Sequence, residues 1–336
     1  MELVLVAPGL LALAPEPLAR DATLSRIAGA AEPIVVDDLD QALLGALDMV
    51  VPAAPLAALG AGIDPAGRFV IRADPVTMRV THDDVRIAAR VDDLDAREVE
   101  TLVTMLDAHF AAEGLTFLAP RGDAWFAACH AAQEVAATPL DAAVGRPLRP
   151  CLPTGADAGR WRRWLTETQM LLHEHALGSR AHPVNGLWFS GGGMVRGPVT
   201  SNGARGGDGG LPRICAAAGR ASDVARGIAR LAGTDALPWT SVAAAIAAAN
   251  DASRLVIVLP RAIEGSDVSA ASAPIAAALH ALGRGQLDRL ELVADGRGVG
   301  ATWSMGRPSL WRRLAPRTAR FAPPERSAAG EERRRE

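Results

Sequence analysis

The stretch His182–Gly193, HPVNGLWFSGGG, restricts the fold of this chain more than any other. It joins a Leu-Trp-Phe run to three consecutive glycines, so the most permissive backbone follows directly on the bulkiest side chains. If Leu187–Phe189 is extended, Trp188 and Phe189 point to opposite faces. Both are then buried only if the strand is covered on two sides. The glycines admit two explanations: the chain turns at Gly191–Gly193, or a ligand comes close to the backbone there. Glycine allows φ > 0 and removes the Cβ that would keep an anion away from N–H donors, so the two are compatible. Asn185 is expected near the rim of any such pocket.

The chain has 336 residues, 49% of them hydrophobic, enough for one large or two moderate domains. A formal net charge of -3 gives no general electrostatic reason to bind nucleic acid or an acidic membrane. All 35 basic residues are arginine, which excludes a Schiff-base lysine, a P-loop lysine and a kinase-type lysine together. Cys129, Cys151 and Cys215 lie too far apart for a CxxC metal site, and their odd number argues against a disulfide framework. They read as reduced, buried thiols. The apolar N-terminus MELVLVAPGLLALAP carries Glu2 in place of a basic flank and is broken by Pro8 and Pro15, so it makes a poor signal peptide. No stretch approaches the roughly 18 uninterrupted apolar residues of a membrane span. A cytoplasmic protein is expected.

Leu3–Val6 reads as a short buried strand ended by Ala7-Pro8-Gly9, followed by an alanine-rich helical region. Ile34–Val36 and Asp48–Val51 are further strand candidates. FVIRADPV, TMRV and VRIAAR are β-rich, with breaks at Asp74-Pro75 and His82–Asp84. Asp95 is a plausible N-cap for a helix reaching about Ala112, with Val99, Leu102, Val103, Leu106 and Phe110 on one face and Gly114 at its end. LTFLAP and AWFAAC are two strands joined around Arg121–Asp123, and Thr138–Ala158 reads as a long ordered loop. Asp157 then opens a helix with Trp161, Trp164, Leu165, Thr168, Leu171 and Leu172 at helical spacing. GPVTSNGARGGDGGLP is too glycine-rich to pack and is expected to be mobile. Helices are expected from Ser222, over Val242–Ala249 and over Ala273–Leu282. Leu255–Leu259 is the best buried-strand candidate, and Leu290–Val293 pairs with Ala301–Trp303 across a Gly-rich turn. The terminal PPERSAAGEERRRE has nothing to bury.

Few motifs carry chemistry by themselves. His173-Glu174-His175 cannot place both rings on one ion from a helix, because residues two apart point about 200° from each other. HExxH is absent. SGGG at Ser190 is not a nucleophile elbow, since Trp188 stands where GxSxG needs glycine. The glycines match neither GxGxxG nor GxxxxGK[ST], with Arg196 and Pro198 at the diagnostic places. An anion cradle and a tight turn both remain open for them. The acidic pairs Asp37-Asp38 and Asp92-Asp93 are explained by caps and solvation.

Four segments occur in the order, and with roughly the spacing, of the RpfE-type bacterial regulatory proteins. They are ADPVTMRVTHDDVRI (Ala73–Ile87), GDAWF (Gly122–Phe126), TETQMLLHEH (Thr166–His175) and VNGLWFSGGG (Val184–Gly193). The chain resembles that family from about Phe69 to Arg313, most specifically from Trp161 to Gly193. The family looks like divergent relatives of the cofactor-independent, archaeal-type phosphoglycerate mutase of the alkaline phosphatase superfamily. The resemblance implies an alkaline-phosphatase-like α/β core whose mixed or parallel sheet is flanked by helices, with a smaller inserted α+β part. Residues 1–66 and 151–318 would form the core, 67–150 the insert and 319–336 a disordered charged tail. It also implies that Asn185, Trp188, Gly191 and Gly193 match the Asn–x–x–Trp–x–x–Gly–x–Gly segment near the mutase substrate pocket. The candidate ligand-binding set is these four with Gly192, His173 and Arg180.

The chain departs from the family pattern at Ser190, where a second tryptophan is usual, and in the shorter link between His175 and His182, with Ala176-Leu177 in place of Val-Asn. The larger departure concerns catalysis. Mutase relatives hold two divalent metals with Asp and His and use a Ser or Thr nucleophile. One metal aspartate should follow the first strand, where this chain has Ala7-Pro8-Gly9, and an Asp-His pair should follow a late core strand, where it has Pro260-Arg261. A two-metal phosphoryl site needs carboxylates to hold the ions. No catalytic residue, metal ligand or cofactor is therefore assigned. Three readings compete. The first is a non-catalytic, mutase-like regulatory protein that binds a small phosphorylated or carboxylated metabolite. The second is an active mutase or phosphohydrolase with other ligands, and the third an interaction protein that keeps only the fold. The sequence names no protein partner.

Overall fold

The computed structural model describes residues 1–65, 67–82, 84–174, 183–195, 211–249, 252–263, 265–307 and 319–325. It divides into two compact units, Met1–Val50 with Thr200–Glu336, and Val51–Val199. In chain order the first unit begins with β1 (Glu2–Ala7), α1 (Pro15–Arg20), α2 (Ala22–Ala30), β2 (Ile34–Val36) and α3 (Leu39–Ala46). The second unit holds α4 (Ala53–Ala61), β3 (Phe69–Val80), β4 (Val85–Arg90), α5 (Ala96–Phe110), β5 (Thr116–Arg121), β6 (Ala124–Cys129), α6 (Leu140–Ala143), α7 (Ala158–Glu174) and β7 (Gly186–Gly193). The chain then returns to the first unit with β8 (Arg213–Ala216), α8 (Asp223–Leu231), β9 (Leu237–Pro238), α9 (Val242–Ala249), β10 (Arg254–Val258), α10 (Val268–Gly283), β11 (Arg289–Gly296) and β12 (Val299–Gly306).

The first unit is the α/β core expected from the resemblance. Its seven-stranded sheet runs β2-β12-β11-β1-β10-β8-β9. Strands β11, β1, β10, β8 and β9 are parallel, and β12 is antiparallel to both its neighbours. Continuous apolar runs such as Leu3–Val6 and Leu255–Val258 suit strands covered on both faces, and every one of these residues is at most 2% exposed. Strand β8 has no clear signal in the sequence: Arg213-Ile-Cys-Ala is short, and pairing with β10 and β9 defines it. Asp48–Val51 is not a strand. Asp48 has φ of 55° just past α3, a left-handed conformation no strand accommodates, and Val50 is 89% exposed. The expected tail starts too early at 319. Phe321 is buried against Trp303, ring centroids 5.7 Å apart, and the Ala319 N–H donates to the Ser25 carbonyl. Residues 326–336 and the glycine-rich 197–210 lie outside the described residues.

The second unit is the smaller α+β part, an antiparallel sheet of order β4-β3-β6-β5 with β7 also on β3. It extends past the expected limits of 67–150 at both ends. Strand β7 pairs with β3 along Val70–Val76, and α4 and α7 both contact β7, so long-range pairing assigns these segments to the insert. The expected break at Asp74-Pro75 is absent, because β3 runs unbroken through both residues. Val76 O accepts the Asn185 N–H, and backbone groups alternate between strand edges, so the missing N–H of Pro75 faces away from β7. On that other edge β6 pairs only to Arg72 and β4 starts at Val76, so the proline interrupts neither ladder.

Helix α5 starts as its sequence demands. The Asp95 carboxylate accepts from Glu98 N, and the Glu98 carboxylate accepts from Asp95 N, a complete capping box. Leu102, Leu106 and Phe110 face the core. Trp161, Trp164, Leu165, Thr168 and Leu172 form the buried stripe of α7, as the spacing predicts. Trp161 packs edge-on against Phe189 at 5.1 Å, and the Trp188 indole on the opposite face donates to the Thr138 carbonyl at 2.9 Å. The strand of the opening stretch is thus covered on two sides.

Candidate functional site

Ligands of open α/β sheets bind outside the carboxyl ends of the parallel strands. In the first unit those ends are Ala7 of β1, Val258 of β10 and Asp295 near the end of β11. Two turns close on each other there. Leu259 N donates to Val6 O at 2.9 Å, and Ala262 N donates to Pro8 O at 2.8 Å. Gly9, with φ of 76°, lies so close to this second turn that a Cβ would stand 2.1 Å from the Ala262 carbonyl oxygen. Only glycine fits. The Gly9 N–H donates to the Asp295 carboxylate at 2.5 Å, and Arg261 Nη1 approaches the other carboxylate oxygen at 3.6 Å. Asp295 is 2% exposed, so its charge is held by a backbone donor and a guanidinium.

The turns contribute alanine, prolines, glycine and an arginine, and the carboxylate beside them is engaged by Gly9 and Arg261. Among the described residues no three His, Cys, Asp or Glu side chains converge as a metal-ligand group.

Beside the turns lies a cleft of about 300 Å³ whose walls include Pro8, Leu10, Trp239, Leu259, Asp267 and Pro274. The backbone N–H of Trp239 donates to Ala216 O at 3.1 Å, which holds this residue's main chain beside the end of β8. Asp267 caps α10. It accepts from the Ser269 hydroxyl at 2.6 Å and from Ser269 N at 3.0 Å, and these bonds hold its carboxyl below the usual range. It is a carboxylate at neutral pH. Burial raises the pKa of the Cys215 thiol on β8 and of Cys129 on β6, so both stay protonated there.

The residues singled out in the sequence lie in the second unit. Asn185 uses its amide on the backbone: its carbonyl accepts from Met78 N at 2.6 Å and its NH2 donates to Met78 O at 2.9 Å. It acts as an additional peptide group beside β3, where the β3–β4 register shifts between Thr77 and Met78. Trp188 is fully buried. Gly191–Gly193 belong to β7 itself, and not to a turn beyond its end. Gly191 has φ of 66° and sits where the β3–β7 register shifts, so it forms a bulge inside the pairing. Gly192 and Gly193 are close-packing positions. A Cβ on Gly192 would stand 2.7 Å from Phe69 Cζ, and one on Gly193 2.4 Å from Pro52 Cβ. Ser190 is buried. His173 is exposed in the last turn of α7. Arg180, His175 and His182 lie outside the described residues. The structure brings Asn185, Trp188 and the glycines together on the β3–β7 pair.

The sequence reading passed over Arg72 and Asp74, which are 4% and 1% exposed on one face of β3. Arg72 lies opposite Ser190 and Asp74 opposite Trp188. Two charges spaced by two within an apolar strand were the available signal, since burying charge is costly unless it is partnered.

No family model matches the chain, and no curated protein matches it. Solved structures similar to it in chain trace include the following two. The cofactor-independent phosphoglycerate mutase of Thermoplasma acidophilum has 14% identity and a TM-score of 0.45, over 96% of this chain and 94% of that one. A protein of Pyrococcus horikoshii has 14% identity and a TM-score of 0.49, over 94% of this chain and 90% of that one.

Proposed function

We propose that this chain is a phosphoglycerate-mutase-like regulatory protein of the RpfE type, built on an alkaline-phosphatase-like core without the two-metal catalytic site. The motif order from Ala73 to Gly193 supports the family reading. One observation carries the loss of catalysis: the interlocked turns at the carboxyl ends of β1 and β10. Two-metal phosphoryl transfer needs several anionic or imidazole ligands around each ion pair. Here the two turns are joined by single backbone hydrogen bonds, Leu259 to Val6 and Ala262 to Pro8, and Asp295 is engaged by Gly9 and Arg261. The ligand class of this reading is a small phosphorylated or carboxylated metabolite, with Asn185, Trp188 and Gly191–Gly193 as the segment it would adjoin.

The test joins metal analysis of protein purified without chelator to a turnover assay with 3-phosphoglycerate and added manganese. Neither stoichiometric metal nor turnover is expected. Stoichiometric manganese or zinc together with turnover would establish the active-mutase reading in its place. If no phosphorylated or carboxylated metabolite raises the melting temperature at millimolar concentration, the ligand assignment fails and an interaction protein retaining the fold is the better account.

A further inference from the structure

We propose that the cleft outside β1 and β10 is a binding site for a small organic cation, an amine carrying an apolar or aromatic body. This inference rests on the cleft itself and not on the regulatory reading. Its volume of about 300 Å³ lies at the small end of the range for ligand pockets, which suits a compact molecule. Pro8, Leu10, Leu259 and Pro274 give it apolar walls that would hold a hydrocarbon body.

Trp239 supplies the second feature. Trp125, Trp161, Trp164, Trp188 and Trp303 are all at most 2% exposed, whereas Trp239 is only partly buried and lines the cleft. An indole face open to a cleft attracts cations through its quadrupole.

Charge decides the class of ligand. Among the described lining residues Asp267 is the one charged side chain. Arg261, on the adjoining turn, is directed to Asp295. The first turn of α10 borders the cleft, and a helix N-terminus favours anions. Here, however, that end is already capped, because Asp267 accepts from Ser269 N. What the helix start offers a ligand is therefore a carboxylate. Each Asp267 oxygen accepts one bond from Ser269, and a carboxylate oxygen has a second lone pair, so both can still accept from an ammonium group. A full negative charge beside an apolar, aromatic wall is complementary to an amine and repels a carboxylate or phosphate of the same shape.

The test uses three probes of nearly one shape and different charge: phenethylamine, phenethyl alcohol and phenylacetate, each titrated calorimetrically into the full chain. Phenethylamine is expected to bind with a Kd of about a millimolar or tighter, the alcohol more weakly and phenylacetate not at all. Asp267→Asn keeps a good helix cap and should weaken the amine by about two- to fivefold, as loss of one exposed ion pair would, since Asp267 is solvent-exposed. It should leave the alcohol unchanged. Trp239→Leu should weaken all probes that bind, the amine most. The proposal is overturned if phenylacetate binds as tightly as the amine, if Asp267→Asn leaves amine affinity unaltered, or if none of the three binds. None of these outcomes depends on metal content or turnover, so the inference and the proposed function stand or fall separately.

Discussion

Trp161 and Trp188 are both fully buried in the second unit, but their indole N–H groups differ, and replacing each by phenylalanine separates the consequences. Trp188 donates to the Thr138 carbonyl at 2.9 Å. The Trp161 N–H is buried with no hydrogen-bond partner among the described residues. Both substitutions remove the same atoms from a closely packed interior, so the volume lost is equal. Trp188→Phe also breaks this bond and strands the buried Thr138 carbonyl, at about 1–3 kcal/mol above the packing loss. Trp161→Phe loses no bond and relieves an unmet donor, which offsets the packing loss by about 1–3 kcal/mol. The phenyl ring can keep the edge-to-face contacts that Trp161 makes with Trp164 at 4.8 Å and Phe189 at 5.1 Å. Trp161→Phe should therefore be close to neutral. Trp161→Ala and Trp188→Ala should each cost about 3–5 kcal/mol, because the aromatic body is needed in both places. The assay is urea unfolding followed by near-ultraviolet circular dichroism, comparing midpoints at unchanged slope. If the two phenylalanine variants differ by less than about 0.5 kcal/mol, the hydrogen-bond accounting is wrong.

Gly192→Ala should destabilise the second unit by about 1–3 kcal/mol through overpacking, since its Cβ would meet Phe69 Cζ at 2.7 Å and Ile71 Cδ1 at 3.0 Å. A melting temperature equal to the parent's would show that the β3–β7 pair can open there. The thiols make a pH prediction. Burial raises the folded-state pKa values of Cys129 and Cys215 above the ordinary 9.0. A raised acid pKa contributes stability that is complete below the unfolded value and declines as pH rises through the folded one. Stability should thus be insensitive to these groups at neutral pH and fall above about pH 9. Iodoacetamide at about pH 8 should label the three buried cysteines slowly in the native protein and all of them in urea, read by mass spectrometry. Fast native labelling of Cys129 or Cys215 would contradict their burial.

Much of the secondary structure was legible because it is written in nearest neighbours. The Asp95/Glu98 box, the stripe from Trp161 to Leu172 and the apolar run Leu255–Val258 each settle their own element within a few turns or residues of chain. The consecutive Trp188 and Phe189 could both be buried only in a strand covered on two sides. The candidate site was legible only in part. The residues after β1 and β10, Ala7-Pro8-Gly9 and Pro260-Arg261, could be read directly, whereas the cleft could not. Pro8, Trp239, Leu259 and Asp267 are brought together by the order of strands in the sheet, and no spacing along the chain encodes that order.

Tertiary structure decided everything that depends on which distant segment lies alongside. Asp74-Pro75 looks like a break because proline lacks an N–H. It is not one, because its position falls where β3 exchanges one neighbour for another on that edge. The glycines of β7 look like a turn or a cradle, since the sequence shows only their missing Cβ atoms. Phe69, Ile71 and Pro52 use that space, from positions more than a hundred residues earlier. Phe321 reads as the start of a tail until Trp303 provides it with a partner. Local sequence fixes backbone preference and the periodicity of apolar side chains. Which faces meet is settled by burial of those faces against one another, and that contribution belongs to pairs of segments and to neither segment alone.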